Sequence, residues 1–358
     1  MVGDCVEICV TYRNRYGDLR DTLYNASASA IFGGSSNPRL VIGGNSGTLL
    51  CAKHVSDDAL YDSKKLSPQS DDMYFPVGYE LKIGSESNRV QGILRHHDNI
   101  LIFTEGDVWV AAPDPDGKEE IYAISVNSEI GCAVQNGVTI LKNDPVSIGY
   151  HDIWLWKDVT GSASRSEAVK LSDPISDELK KCDLRSCNLY YDKSGNELWL
   201  NDTASDTVWI YNAEGEVWYS YTGINADMIF EADGRTAFLS NNKIFVFDKE
   251  YLFDTDERNT PHQIVATYET HALDFGSGEY KNLSEIELSA TTGDDMVTVD
   301  FEGDGYLKKT ITIQGVGKSK ELSVKKRVRS EKFKTAKFKL TAAGNEPQII
   351  YDLKLSVR

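Results

Sequence analysis

Any chemistry in this chain would fall to six cysteines, six histidines and 55 acidic residues, so their spacing is the first question. The cysteines are Cys5, Cys9, Cys51, Cys132, Cys182 and Cys187. They form no Cys-x-x-Cys pair and have no histidine at zinc-like spacing, which fits reduced, structural thiols better than a metal or redox centre. His96 and His97 are adjacent, but no carboxylate or cysteine stands at ligand spacing from them, so a strand edge or turn is their expected place. PDPDG, from Pro113 to Gly117, has part of a calcium loop's oxygen-rich pattern. The twelfth loop position falls on Ala123 instead of a glutamate, so the run reads as a turn. GGNSG, from Gly43 to Gly47, lacks the Lys-Ser/Thr and the helix of a phosphate-cradling loop and reads as a hairpin turn. Most acids sit in turns such as DPDG, DKSG and DTDE, where aspartate serves the backbone. No G-x-S-x-G, H-E-x-x-H or Ser/His/Asp grouping stands out. The reading is therefore of a protein that is not an enzyme, with no catalytic or metal residue assigned and no cofactor expected.

Charge points elsewhere. The net charge is −17, yet Tyr306–Lys339 carries 12 Lys/Arg against 2 Asp/Glu, which leaves the rest of the chain near −27. A basic segment on an acidic body can dock on an acidic neighbour, and the acidic body repels phosphate. Lys325, Lys326, Arg327 and Arg329 are the candidate subunit-interface residues, the alternative being a solvated strand face. Phe333 and Phe338 accompany them without an aromatic platform of nucleic-acid-binding type, and the overall acidity opposes specific nucleic-acid binding. Trp154, Trp156, Trp199, Trp209 and Trp218 are available to a ligand-binding face, but their alternation within strands favours packing between sheets.

These residues need a scaffold, and the sequence describes one. From Cys187 to Asp248 short alternating runs are separated by the turns DKSGN, NDTASD, NAEGE and SNNK, whose residues tolerate positive φ or bond their own backbone. Similar units of strand, polar turn and aromatic strand occupy Ile100–Ala111, Val146–Lys157, Glu197–Asn212 and Thr236–Asp248. Their second strands begin near Val108, Ile153, Val208 and Ile244, a spacing of roughly 45 residues that suits propeller blades, although no WD or Asp-box signature is present. Short strands with glycine-rich turns also fill the first 60 residues, in VEICVTYR, SASAIFGG and RLVIGG. The one helical pattern is Leu171–Asp183, with Ser172 or Asp173 to cap it and Pro174 in its first turn. Beyond Asp248 seven longer β-branched strands predict a β-sandwich. The expected architecture is all-β: a β-propeller with divergent blades over 1–261, then a β-sandwich over 262–358, with the boundary near Pro261. No run of about 18 apolar residues is present, so no membrane span is expected. MVGDCVEICV is acidic and lacks the pattern of a signal peptide.

Several phrases resemble bacteriophage propeller proteins. SDDMYFPVGYELKIGSESNRVQGILRHHDNILIFTEGDVWVA (Ser70–Ala111), IGCAVQNGVTIL (Ile130–Leu141) with IGYHDIWLWKDVTG (Ile148–Gly161), and YNAEGEVWYSYTG (Tyr211–Gly223) are similar to their blade strands. TYETHALDFGSGEYKNLSEIELSA (Thr267–Ala290) resembles the motif with which such propellers pass into a C-terminal sandwich, and AKFKLTAAGNEPQIIYDLKLSVR (Ala336–Arg358) resembles the strand pair that closes it. The resemblance covers roughly residues 70–358. It implies a structural virion component, a tail hub, nozzle or head–tail protein of a short-tailed phage, assembled in the host cytoplasm and located in the virion tail. The implied partners are further copies in a ring around the DNA channel, portal, adaptor or other tail proteins, and DNA in transit without sequence-specific binding. The alternatives are a host-receptor or glycan-binding tail module, or a propeller glycan hydrolase.

Overall fold

A computed structural model of the chain describes residues 23–32, 39–54, 73–75, 80–85, 87–97, 99–113, 121–135, 137–157, 167–248, 253–255, 260–291, 295–314, 322–344 and 348–358. Antiparallel strands dominate them, so the fold is all-β, and the chain divides into two units, Met1–Phe247 and Asp248–Arg358.

The first unit is built from small antiparallel sheets in chain order. Sheet one joins β1 (Ala26–Phe32), β2 (Arg39–Gly44), β3 (Thr48–Cys51) and β6 (Glu80–Lys82), and the short pair β4 (Lys53–His54) and β5 (Met73–Tyr74) lies between β3 and β6 in the chain. Sheet two is β7 (Val90–His96), β8 (Asn99–Thr104), β9 (Val108–Pro113) and β10 (Ile121–Asn127). Sheet three is β11 (Val138–Leu141), β12 (Asp144–Ile148), β13 (Ile153–Lys157) and β14 (Glu167–Lys170). Sheet four is β15 (Cys187–Asp192), β16 (Glu197–Asp202), β17 (Thr207–Asn212) and β18 (Val217–Thr222). Sheet five has three strands, β19 (Met228–Ala232), β20 (Arg235–Ser240) and β21 (Lys243–Val246). The aromatic strands of the sequence pattern are the third strands of sheets two to five.

The first strand of each sheet neighbours that of the next, β1 to β7, β11, β15 and β19 in turn. No comparable contact joins β19 to β1 among the described residues, so the unit is propeller-like with its ring not closed there. Side-chain alternation explains the stacking, because successive residues of a strand point to opposite faces. In β8, Ile100 and Ile102 pack with Val41 and Leu49 of sheet one, whereas Leu101 and Phe103 pack with Trp156 of sheet three. In β16, Leu198 and Leu200 face Val146, Ile148 and Ile153 of sheet three, and Trp199 faces Ile229 of sheet five. A strand buried on both faces needs a continuous apolar run, and both strands have one.

Turn chemistry sets the hairpins. Asp192 Oδ1 accepts from the Ser194 amide and hydroxyl, Asp202 Oδ1 from the Ala204 amide, and Asn212 Oδ1 from the amides of Glu214 and Gly215. Asn241 and Asn242 both take positive φ, 49° and 60°, as a two-residue hairpin with the strands' own twist requires. GGNSG ends β2 and leads into β3; a Cβ on Gly44 would lie 1.9 Å from the Asn25 carbonyl oxygen, so a close backbone approach explains that glycine.

The helical expectation shrinks. Leu171–Asp183 yields a 3-10 turn, Asp173–Ile175, and a single-turn helix α1, Ser176–Leu179. Ser172 caps nothing with its side chain. Its buried hydroxyl accepts from the Ile153 amide and donates to Asp152 Oδ1, so the serine pins β13 instead.

The second unit has the seven expected strands and one more. The larger sheet runs β22 (Phe253–Thr255), β23 (Pro261–Glu269), β28 (Ala336–Gly344), β25 (Met296–Gly303) and β26 (Tyr306–Gln314). The smaller runs β27 (Leu322–Arg327), β24 (Leu283–Thr291) and β29 (Ile349–Val357). Between them lie Leu283, Ile286 and Leu288 from one sheet and Val297, Val299, Phe301, Phe338 and Leu340 from the other. The division between units falls at 247/248, ahead of Pro261, because β22 pairs with β23.

Candidate subunit interface

The basic segment is distributed over β26, β27 and the start of β28, and the structure splits it by face. Val324 and Val328 point into the sandwich core, so Lys325, Arg327 and Arg329 lie on the opposite, solvent side of the small sheet, where all three are exposed. Lys325 pairs in register with Glu287 and Arg327 with Glu285 on β24. The Lys325 ammonium lies 2.9 Å from Glu287 Oε2, and Ser323 donates to Glu287 Oε1 at 2.8 Å. These two hydrogen bonds, that of Lys325 first, hold the Glu287 carboxyl below its ordinary range, and the bond to Glu287 raises Lys325. Lys326 turns the other way and donates to the Thr312 carbonyl on β26, which sets β27 beside β26. Arg327 and Arg329 have no ion-pair partner among the described residues.

On the large sheet Lys339 pairs in register with Glu269 and Asp300, and Lys337 with Glu302. Lys337 also reaches Glu269 at 3.7 Å. Strand pairing therefore matches much of the basic segment with acids far away in sequence. A solvated, charge-laddered face accounts for Lys325, Lys337 and Lys339; Arg327 faces Glu285 in register without an ion pair, and Arg329 has neither among the described residues.

The Leu273–Lys281 phrase has a physical reading here. Leu273 bridges to Ala336, and Asp274 Oδ1 accepts from the Gly276 amide. Phe275 takes φ 52° and packs edge-on against Phe333, with ring centroids 6.2 Å apart. Lys281 bridges to Phe333 through the backbone, and its buried ammonium donates to the carbonyls of Ser277 and Glu279. LDFG…K is a plug that seals one end of the sandwich core.

The other candidates are structural in placement. His96 ends β7, with Nε2 2.8 Å from the Asn143 carbonyl, and His97 takes the turn that follows at φ 53°. Cys51, Cys132 and Cys187 are buried free thiols, and Cys182 is half-buried; Cys5 and Cys9 lie outside the described residues. Asp114–Gly117 of the PDPDG run also lie outside them. Among the described residues no group of three or more His, Cys, Asp or Glu is placed to hold a metal. All six tryptophans pack into the clusters between sheets; Trp156 donates to Ser147 Oγ at 3.0 Å and Trp218 to the Leu171 carbonyl at 3.0 Å. A cleft of about 440 Å³ opens between the β15–β16 and β19–β20 turns, lined by Tyr190, Asp192, Glu231 and Arg235 among others. Its Asp192 is already committed to the Ser194 turn. No helix among the described residues is long and apolar enough to cross a membrane.

No protein-family model matches the chain, and no curated protein sequence matches it. Among solved structures it is similar to an exo-β-1,3-galactanase from Phanerochaete chrysosporium, at 10% identity and TM-score 0.33, over 90% of this chain and 95% of that one. It is also similar to a glycoside hydrolase family 43 arabinoxylan arabinofuranohydrolase from Bacillus subtilis, at 9% identity and TM-score 0.27, over 92% and 79%. A third likeness is to the S. cerevisiae core factor, at 7% identity and TM-score 0.38, over 86% and 54%. Similarities this weak assign neither a family nor an activity to the chain.

Proposed function

We propose that the chain is a structural component of a tailed-bacteriophage virion, a tail hub, nozzle or head–tail subunit that forms a homo-oligomeric ring around the DNA channel. The observation that supports this most is the Leu273–Lys281 plug, since the phrase by which the chain resembles phage propeller proteins is also the one that closes the sandwich core. Physically, small sheets whose faces cover one another make a stiff wedge suited to packing in a ring. An acidic body, near −27 outside the basic segment, lets DNA pass along a wall without adhering. Docking to an acidic neighbour then falls chiefly to Arg327 and Arg329, with Lys325 and Lys326 held beside them.

The test is the particle formed by the purified protein, by light scattering and negative-stain imaging, alone and with portal and adaptor proteins. A ring, formed alone or on an adaptor, is the expected result. A stable monomer that ignores those partners but binds host cells or glycans overturns the reading in favour of a receptor module. Reversing Lys325, Lys326, Arg327 and Arg329 together is expected to weaken the ring in a salt-sensitive way, and unchanged assembly removes them from the interface.

A further inference from the structure

The contact between sheets four and five changes character along its length. Successive side chains of a strand alternate between faces, so Tyr190 and Asp192 of β15 look to the same side. Cross-strand partners also share a face, which puts Trp199 of β16 with Tyr190 and, on sheet five, Phe238 with Ile229 and Thr236 with Glu231. Tyr190, Trp199, Ile229 and Phe238 pack together between the two sheets. Toward the β15–β16 and β19–β20 turns the facing positions become polar, with Asp192 on one sheet and Glu231 and Thr236 on the other. This polar end of the contact is the cleft of about 440 Å³.

Its polar groups have bonding capacity to spare. Asp192 is 7% exposed and spends Oδ1 on the Ser194 amide and hydroxyl, while Oδ2 has no partner among the described residues. Thr236 is 6% exposed, and its hydroxyl is buried without a hydrogen bond. Glu231 makes no hydrogen bond or ion pair among the described residues. Burial raises the Tyr190 hydroxyl, and the groups that act on it next are the Thr236 hydroxyl and the Asp192 and Glu231 carboxylates, so the four converge. A buried polar atom left unpaired costs free energy that a ligand can recover. Lys193 and Arg235 also line the cleft, one residue from Asp192 and Thr236, and both are exposed at its opening.

We infer that the cleft binds a small zwitterion with an ammonium group at one end and a carboxylate at the other, of which a free amino acid is the simplest case. An ammonium offers three donors, and Asp192 Oδ2, Glu231 and the Thr236 hydroxyl supply three acceptors. The carboxylate then lies at the opening with Lys193 and Arg235. A neutral polyol would leave both carboxylates of the cleft without a counter-charge, and a phosphate would be repelled by them. A simple cation would meet Lys193 and Arg235 on its way in. The site lies wholly within the first unit and uses none of the basic segment, so it stands or falls separately from ring formation.

The test uses the full chain. The common L-amino acids are screened singly, at millimolar concentration, for a rise in thermal midpoint, and those that stabilise are titrated by calorimetry. At least one is expected to bind. Glu231→Gln and Lys193→Gln, both at exposed positions, are each expected to raise its Kd about tenfold with the far-UV circular dichroism unchanged. The matching amine without the carboxylate, and the matching acid without the amine, should bind more weakly than the parent. Glu231→Gln should remove the parent's advantage over the acid, and Lys193→Gln its advantage over the amine. The proposal is overturned if no amino acid binds, or if both substitutions leave the Kd unchanged. It is also overturned if glucose or inorganic phosphate stabilises the protein as well as the best amino acid and loses that effect in Glu231→Gln. A protein that forms rings yet fails the screen loses the cleft assignment alone, and a monomer that passes it loses the ring alone.

Discussion

Replacing Phe333 with alanine should unfold one unit and spare the other. Its ring is fully buried and touches Phe301 edge-on at 5.1 Å between centroids and Phe275 at 6.2 Å. Removing a buried phenylalanine costs about 3–5 kcal/mol, because the transfer free energy is lost and the cavity does not fully collapse. Phe301 is held by its strand pairing with Phe338, and Phe275 follows the Leu273–Ala336 bridge by two residues, so neither ring can swing far into the space. With a urea m-value of about 1.5 kcal/mol/M, the sandwich midpoint should fall by about 2–3 M. Phe333→Leu, which keeps most of the volume, should cost about 1–1.5 kcal/mol. The assay separates the units because all six tryptophans precede residue 248 while the sandwich has none. Urea titration by tryptophan fluorescence follows the first unit, and far-UV circular dichroism follows both. The expected result is a new early dichroism transition with the fluorescence midpoint unmoved. A loss below about 1 kcal/mol would refute the packing argument, and equal movement of both signals would refute the independence of the two cores.

Three further expectations concern the first unit. Ser147→Ala leaves the Trp156 indole N–H buried without its acceptor and should cost about 1–3 kcal/mol, whereas Trp156→Phe together with Ser147→Ala should show that the two effects are not additive in thermal or urea unfolding. Ser172→Ala strands the Ile153 amide and should destabilise the protein by about 1–3 kcal/mol; an unchanged midpoint would show that the hydroxyl does not pin β13. Burial raises the thiols of Cys51 and Cys132 from 9.0 to about 11 and that of Cys187 to about 12. Folding therefore favours their protonated forms: this contribution is whole below pH 9 and is lost as pH climbs toward 11 to 12. Urea midpoints should fall across that window, and alanine in place of all three thiols should flatten the fall.

Much of this organisation was legible because turns are local. Asp192, Asn212 and the Asn241-Asn242 pair act on backbone within three residues, so their types announce hairpins without knowledge of the fold. The apolar runs of β8 and β16 likewise announce strands covered on both faces. The charged face was less legible. Lys325 and Arg327 look like an uncompensated basic patch in sequence, yet Glu287 and Glu285 stand opposite them from some 40 residues upstream, and only register reveals that. The short helix expected over Leu171–Asp183 shrank to a 3-10 turn and a single helical turn for a related reason, since Ser172, one of its two capping candidates, was taken by a tertiary partner, the Ile153 amide. The short strand β22 was invisible within a charged, turn-rich stretch because three residues carry too little periodicity to register.

The serial order of the blades has a mechanical consequence. Each sheet borrows its solvent shielding from its immediate neighbours, so among the described residues the first unit behaves as a serial array in which sheet five is the least covered member. Centre and end differ accordingly: Ile100, Leu101, Ile102 and Phe103 of β8 are sealed on both faces, whereas Met228 and Ile244 of sheet five are 49% and 62% exposed. Amide exchange should be slowest in β8, β12 and β16 and fastest in β19–β21, a gradient of opening free energy along the chain. Whatever covers sheet five in an assembly would then stiffen the row from its loose end inward, turning a binding event at one blade into added rigidity several blades away.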